Sequence, residues 1–181
     1  MNYKHLQLPL KKCDLLSLKA GDLCLLTGSM YTLRDAGHKL LLEEMAAGTP
    51  FPDFLRGQII FYAGPTPSVA GRPFGAVGPT TASRMDFAAP EFHRQGVVAT
   101  IGKGVRSEDL RQACVETSSV YFIAVGGAAA YLAKCVRCET VVKYEEIGTE
   151  ALRKIEVKEF PVFVGIDCVG NDLYEQIINE R

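Results

Sequence analysis

Hydrophobic and polar positions recur with two different periods along this chain of 181 residues, and the changes of period mark out its elements. Leu6, Leu8 and Leu10 alternate with other residues before Lys11-Lys12, which predicts an extended lead-in over residues 1–20 that ends in a short turn at 18–22. Residues 23–27 and 58–63 read as strands, the second bounded by Gly57 and by Gly64-Pro65-Thr66-Pro67. Between them a helix is predicted from Thr32 to Ala47, with Asp35 at its third position as in a capping box and Gly48-Thr49-Pro50-Phe51-Pro52 as its stop. From Gly96 onward the pattern predicts strand 97–101, a helix over about 107–117 with Ser107 as N-cap, strand 120–125, a helix over about 128–136 and strand 140–144. The tail adds a helix near 149–153, β-rich segments at 155–157 and 161–166, and a final helix from about Asn171. This alternation of strands with helices is the mark of an α/β domain. No internal repeat or low-complexity tract interrupts it.

A hydrophobic content of 48% over 181 residues supports one domain spanning residues 1–181. The formal net charge is −1 with the cations scattered, which removes the electrostatic case for a nucleic-acid partner and favours small anions. The apolar stretch 120–133 contains Gly126-Gly127 and falls short of the ~20 residues that span a bilayer, and Met1-Asn2-Tyr3-Lys4-His5 lacks the apolar core of a signal peptide. A cytoplasmic protein with no membrane partner is expected. Six cysteines are spread through the chain, most of them within apolar runs where a reduced buried thiol is the default, and only Cys135-Val136-Arg137-Cys138 has metal-ligand spacing. Without a second pair or histidine partners, it reads as a helix end that carries two thiols, so no metal site is expected on this chain.

The most informative stretch is Gly78-Pro79-Thr80-Thr81-Ala82-Ser83-Arg84-Met85-Asp86. A helix starting at Thr80 or Thr81 would turn hydroxyls and free N–H groups toward one point, and Arg84 one turn on would offer a fork for a carboxylate or phosphate. Arg34 and His38 fall on one face of the Thr32-capped helix, and Lys103 stands between Gly102 and Gly104 after a strand. Singly, each of these reads as a surface residue. Together they place three cations at element ends beside Gly-rich turns, where α/β proteins bind ligands. Residues 64–78, rich in Gly, Pro and Ser, read as an ordered active-site loop. Gly102-Lys103-Gly104-Val105-Arg106-Ser107 approaches a dinucleotide fingerprint but has Ser for its third Gly and no acidic residue about 20 positions on, which argues against a nicotinamide cofactor. The motif segments hold no carboxylate pair, Ser-His-Asp set or Cys-His pair. A chain equipped to grip an anion yet lacking a strong base reads as half of an active site.

The strings Arg34-Asp35-Ala36-Gly37-His38-Lys39, Phe61-Tyr62-Ala63-Gly64-Pro65, Gly78-Pro79-Thr80-Thr81, Arg84-Met85-Asp86, Ile101-Gly102-Lys103-Gly104, Ala124-Val125-Gly126-Gly127-Ala128-Ala129-Ala130 and Gly170-Asn171-Asp172-Leu173-Tyr174 together span nearly the whole chain. In that order they resemble the β subunit, or C-terminal domain, of class I iron–sulfur fumarate hydratases and the related L(+)-tartrate dehydratases. The pattern departs after Thr81, where Ala82-Ser83 stands in place of the Ser-Gly common in the family.

The resemblance implies a swivelling β/β/α domain, with a mixed sheet and flanking helices, that closes over a [4Fe–4S] cluster held by a separate α subunit. It implies a C4 dicarboxylate bound between the two, in a hetero-oligomer, with a homodimer of this chain alone as the other arrangement. By the same carry-over Arg34, Arg84 and Lys103 bind substrate carboxylates, Thr80 transfers the proton, and Thr81 and His38 help to bind or position the substrate. The expected activity is reversible hydration of fumarate to L-malate, with dehydration of L(+)-tartrate to oxaloacetate as the alternative. A non-catalytic dicarboxylate-binding module is the competing class.

Overall fold

The structure is a computed structural model that describes residues 3–69 and 71–179. Met1, Asn2, Ala70, Glu180 and Arg181 lie outside the described residues, and with them the start of the N-terminal reading and one position of the 64–78 loop. Seven strands, β1 (Lys4–Gln7), β2 (Leu23–Thr32), β3 (Ile59–Phe61), β4 (Ala99–Gly102), β5 (Val120–Ile123), β6 (Val136–Lys143) and β7 (Leu152–Ile166), form a mixed sheet in the order β1-β2-β3-β4-β5-β7-β6. Strands β1 to β5 run parallel, while β7 pairs antiparallel with β5, β6 and β2, so β2-β3-β4-β5-β7 closes on itself. Parallel neighbours need crossover connections. Helices α2 (Asp35–Ala46), α3 (Ala89–Arg94) and α4 (Glu108–Thr117) supply them after β2, β3 and β4; the remaining helices are α1 (Lys12–Ser17), α5 (Ala129–Cys135) and α6 (Leu173–Asn179).

Period-2 alternation divides the interior into two cores. Ile59, Phe61, Ala99, Ile101, Val120 and Phe122 point inward, against Phe160, Val162 and Val164 of β7. Ile60, Tyr62 and Tyr121 point outward, against Leu41 of α2, Phe92 of α3 and Leu110 of α4. The result is the β/β/α layering that the family resemblance implied, built because the central strands β3 and β5 are apolar on both faces.

Several elements differ from their sequence expectations. The lead-in is a strand followed by helix α1, and its alternating leucines are all buried. Thr32 does not cap a helix: it is the last residue of β2, fully buried and paired with Phe61 on one side and Arg153 on the other. With Thr32 held in the sheet, α2 begins three residues later and Arg34 takes the N-cap position. The helix expected near 149–153 is a 3-10 segment, Glu145–Glu150, broken at Gly148, and Leu152 already pairs with Lys143 to start β7. The two β-rich tail segments are one strand. The polar residues between them form a bulge opposite Thr27, whose hydroxyl accepts from the Glu159 N–H at 3.0 Å.

Candidate active site

The register levels the carboxyl ends of the parallel strands. Thr32 pairs with Phe61, Phe61 with Ile101, and Ile101 and Gly102 with Phe122 and Ile123. The chain therefore leaves the sheet at one edge four times, into Arg34 after β2, Gly64 after β3, Lys103 after β4 and Val125-Gly126 after β5. Open α/β sheets bind their ligands outside this edge.

Strands β3 and β4 stay paired up to the bond from the Tyr62 N–H to the Ile101 carbonyl, at 2.8 Å, and then part. The segment Thr80-Thr81 fills the gap. The Thr80 N–H donates to the Tyr62 carbonyl at 2.7 Å, the Lys103 N–H donates to the Thr80 carbonyl at 3.1 Å, and the Ala82 N–H donates to the Lys103 carbonyl at 2.8 Å. Both backbone polar groups of Thr80 are thus spent, which fixes where its hydroxyl stands relative to Lys103. Gly102 makes this insertion feasible: a Cβ there would lie 2.7 Å from the Ala82 Cβ and 3.3 Å from the Thr80 carbonyl oxygen. The expected helix from Thr80 or Thr81 is only a 3-10 turn, Ala82–Met85, with Thr81 as N-cap and no side-chain capping bond. Four residues of 3-10 helix sum few peptide dipoles, so the positive potential here comes from side chains.

Arg34 and Arg84 meet over a shared acid. Arg84 Nε lies 2.9 Å from Asp35 Oδ1, and Arg34 Nη2 lies 3.7 Å from Asp35 Oδ2 and 3.6 Å from Glu150 Oε1. Arg34 lies across Gly64, where a Cβ would come within 2.9 Å of Nη1. Glu150 Oε2 accepts from the Ala36 N–H at 3.0 Å. His38 is fully buried, against the rings of Tyr62 and Phe92. Its Nδ1 is 2.8 Å from the Arg34 carbonyl, which can only accept, so Nδ1 carries the proton. Burial pushes the imidazole pKa down from 6.5 to about 4 and keeps it neutral. From this place His38 fixes the backbone of Arg34, while Thr81, Arg84 and Lys103 are exposed and Thr80 is half-buried.

A second group under the same edge escaped the sequence reading. Arg106, whose side chain is 0% exposed, places Nη2 2.6 Å and Nε 2.7 Å from Asp86 Oδ1. Its Nη1 donates to Thr100 Oγ1 at 3.2 Å, and its guanidinium lies 4.7 Å from the centre of the Tyr121 ring. The other oxygen of Asp86 accepts from the Ser107 N–H at 2.7 Å. The pair therefore ties the end of the turn that carries Arg84 to the segment just past Lys103. Both residues lie in strings already singled out for ligand binding, but a charged residue beside a helix cap reads as solvent-facing. No pattern in the sequence pairs positions 86 and 106.

Residues 2–177 match the family model described as Fumarase C-terminus. The chain belongs to this family. Its relatives include the anaerobic class I fumarate hydratase of Escherichia coli, 39% identical over 86% of this chain and 29% of that protein, and fumarate hydratase 2 of Leishmania major, 38% identical over 87% and 28%. A putative L(+)-tartrate dehydratase subunit beta of Methanocaldococcus jannaschii is 36% identical over 93% of this chain and 89% of its own length. The chain spans between 27% and 34% of the length of these fumarate hydratases and nearly all of the tartrate dehydratase subunit. In this member of the fumarase C-terminus family the cysteines of the described residues do not gather into a set that could hold an iron–sulfur cluster. Cys135 ends α5 and is buried, Cys138 is exposed on β6, and no group of three or more potential metal ligands occurs among the described residues. Ser107, the departure from the dinucleotide fingerprint, is the N-cap of α4, its hydroxyl accepting from the Leu110 N–H at 3.3 Å. No helix among the described residues is long and apolar enough to cross a membrane.

Proposed function

We propose that this chain is the β subunit of a cytoplasmic iron–sulfur hydro-lyase that interconverts fumarate and L-malate, in an active site shared with an α subunit that holds a [4Fe–4S] cluster. The observation that carries the reading is the clustering at one sheet edge, with Arg34 and Arg84 joined through Asp35, and Thr80 bonded on both sides to the strands that present Lys103. The names of the fumarate hydratase relatives support the same chemistry.

In this reading Arg34, Arg84 and Lys103 hold the two carboxylates of the C4 acid, which fixes the carbon chain against Thr80. In the malate-to-fumarate direction Thr80 Oγ1 takes the proton from the carbon next to the hydroxyl-bearing one, the electrons of that bond form the double bond, and the hydroxyl leaves as water, a departure that the partner's cluster would assist as a Lewis acid. A threonine hydroxyl is too weak a base at its free pKa, so an acid of the partner must take its proton in turn. Thr81 and His38 position these groups, His38 through the Arg34 backbone.

A second substrate is favoured by one specific observation: the tartrate dehydratase relative is a subunit that this chain covers almost end to end. L-Malate and L(+)-tartrate differ by one hydroxyl, which a single polar contact can select. The test combines this chain anaerobically with its cluster-bearing partner and follows fumarate absorbance from L-malate and oxaloacetate from L(+)-tartrate, with each chain alone as control. Fumarate from the pair alone supports the proposal, and oxaloacetate alone moves the substrate to tartrate. Neither product from a complex with an intact cluster, together with dicarboxylate binding by this chain alone, would establish the binding module instead.

A further inference from the structure

We infer that Asp35 is a positioning residue that yokes Arg34 and Arg84 into one carboxylate-binding fork, an inference that rests on the reading of this edge as a dicarboxylate site. Among the described residues its carboxylate is the one that pairs with both arginines. Oδ1 takes the Nε edge of Arg84 at 2.9 Å, and Oδ2 faces Arg34 Nη2 at 3.7 Å. Spending Nε on Asp35 leaves the Nη1/Nη2 end of Arg84, half-exposed at 51%, as the edge available for two parallel bonds to an incoming carboxylate.

The other half of the fork is held less tightly. Arg34 is only 22% exposed, its Nε is buried without a hydrogen-bond partner among the described residues, and Asp35 Oδ2 is buried in the same condition. Glu150 cannot replace Asp35 in this role, because its Oε2 is committed to the Ala36 N–H and its Oε1 faces Arg34 but not Arg84. Asp35 opens α2, whose first turn the Ala36–Glu150 bond ties to the 3-10 segment before β7. The yoke is thus anchored between a helix and the 3-10 segment that leads into β7 rather than on a free loop.

The alternative role for Asp35 is charge compensation, and the two roles predict opposite signs. Asp35→Asn adds one positive charge beside both arginines. A mere compensator would then give tighter dicarboxylate binding and a lower KM. A yoke gives two misaligned guanidinium groups and a KM raised about ten- to hundredfold, the loss expected for a hydrogen bond to a charged group. Steady-state kinetics of the Asp35→Asn chain in the cluster-bearing pair read the sign, with Asp35→Glu expected to recover part of the loss because it keeps the charge on a longer arm. A KM unchanged or lowered in Asp35→Asn overturns the inference. A second readout is independent of turnover: the Arg84 Nε–H resonance of the labelled chain should be slow to exchange in the wild type and fast in Asp35→Asn. Fast exchange in both refutes the yoke even if the pair is active, whereas slow exchange in a wild-type pair that turns over neither substrate refutes the hydro-lyase reading and leaves the yoke standing.

Discussion

Arg106→Met removes the charge of the buried pair and keeps most of the stem, so its cost reports the pair rather than a cavity. Asp86, 12% exposed, would keep only the Ser107 N–H as partner, and both guanidinium contacts at 2.6 and 2.7 Å would vanish. Breaking a buried ion pair from one side costs about 3–5 kcal/mol, because the remaining charge stays out of water. The guanidinium also packs over Tyr62 and Tyr121, a cation–π contribution of up to about 2 kcal/mol that overlaps with the first figure and is not added to it. For a chain of this size each kcal/mol moves the midpoint by about 2–4 °C, so the melting temperature should fall by roughly 6–20 °C. The assay is thermal and urea unfolding followed by far-UV circular dichroism and tyrosine emission, since the chain has seven tyrosines and no tryptophan. Asp86→Asn combined with Arg106→Met should cost less than the sum of the single changes, because no charge is then left unpaired. A loss under about 1 kcal/mol for Arg106→Met, or strict additivity in the double variant, would refute the argument.

Acid should destabilise the fold from about pH 6.5 downward, because burial holds the His38 pKa at about 4 and that of His93 at about 3. The unfolded imidazoles take up protons from about pH 6.5 downward while the native ones do not, so this stability is fully present above pH 6.5 and is lost as pH falls toward 4 and then 3, at up to about 1.4 kcal/mol per unit for each histidine. Urea midpoints against pH check the slope, and His38→Gln should make it shallower. Gly102→Ala places a methyl 2.7 Å from the Ala82 Cβ and 3.1 Å from the Tyr62 ring, so about 1–3 kcal/mol of stability and most of the activity should be lost together in melts and turnover assays. Thr80→Val should leave dicarboxylate affinity unchanged and lower turnover at least a hundredfold in the reconstituted pair, since only the proton-transfer group is removed. Wild-type kcat in that variant would take Thr80 out of the mechanism.

The alternation of apolar residues made β2 to β5 and helices α2 and α4 legible, because each strand has to be apolar on the faces it buries. Lys103 was legible for the same reason, because it follows a strand placed by its apolar run, whereas Arg34 was read within a helix and stands at a strand end only because β2 runs on to Thr32. What stayed hidden depends on pairing across long separations. Thr32 carries the local signal of a helix cap, yet β7 arrives from 121 residues further on and holds it in the sheet. The turn at Ala82–Met85 is short because Ala82 bonds to Lys103, a contact that no local pattern announces. Asp86 and Arg106 look like surface charges until the turn and the segment after β4 are brought together. His38 reads alone as a surface residue and by the family resemblance as a group that binds or positions the substrate, and the structure places it in the core, bonded to the Arg34 backbone.

The most direct test is hydrogen–deuterium exchange on the reconstituted pair, with and without a saturating non-reacting C4 dicarboxylate. The account predicts slowed exchange in this chain at residues 33–38, 78–86 and 101–106, and unchanged exchange along β6 and α6. Protection confined to the partner, or falling in this chain away from the shared edge of β2, β3 and β4, would contradict it.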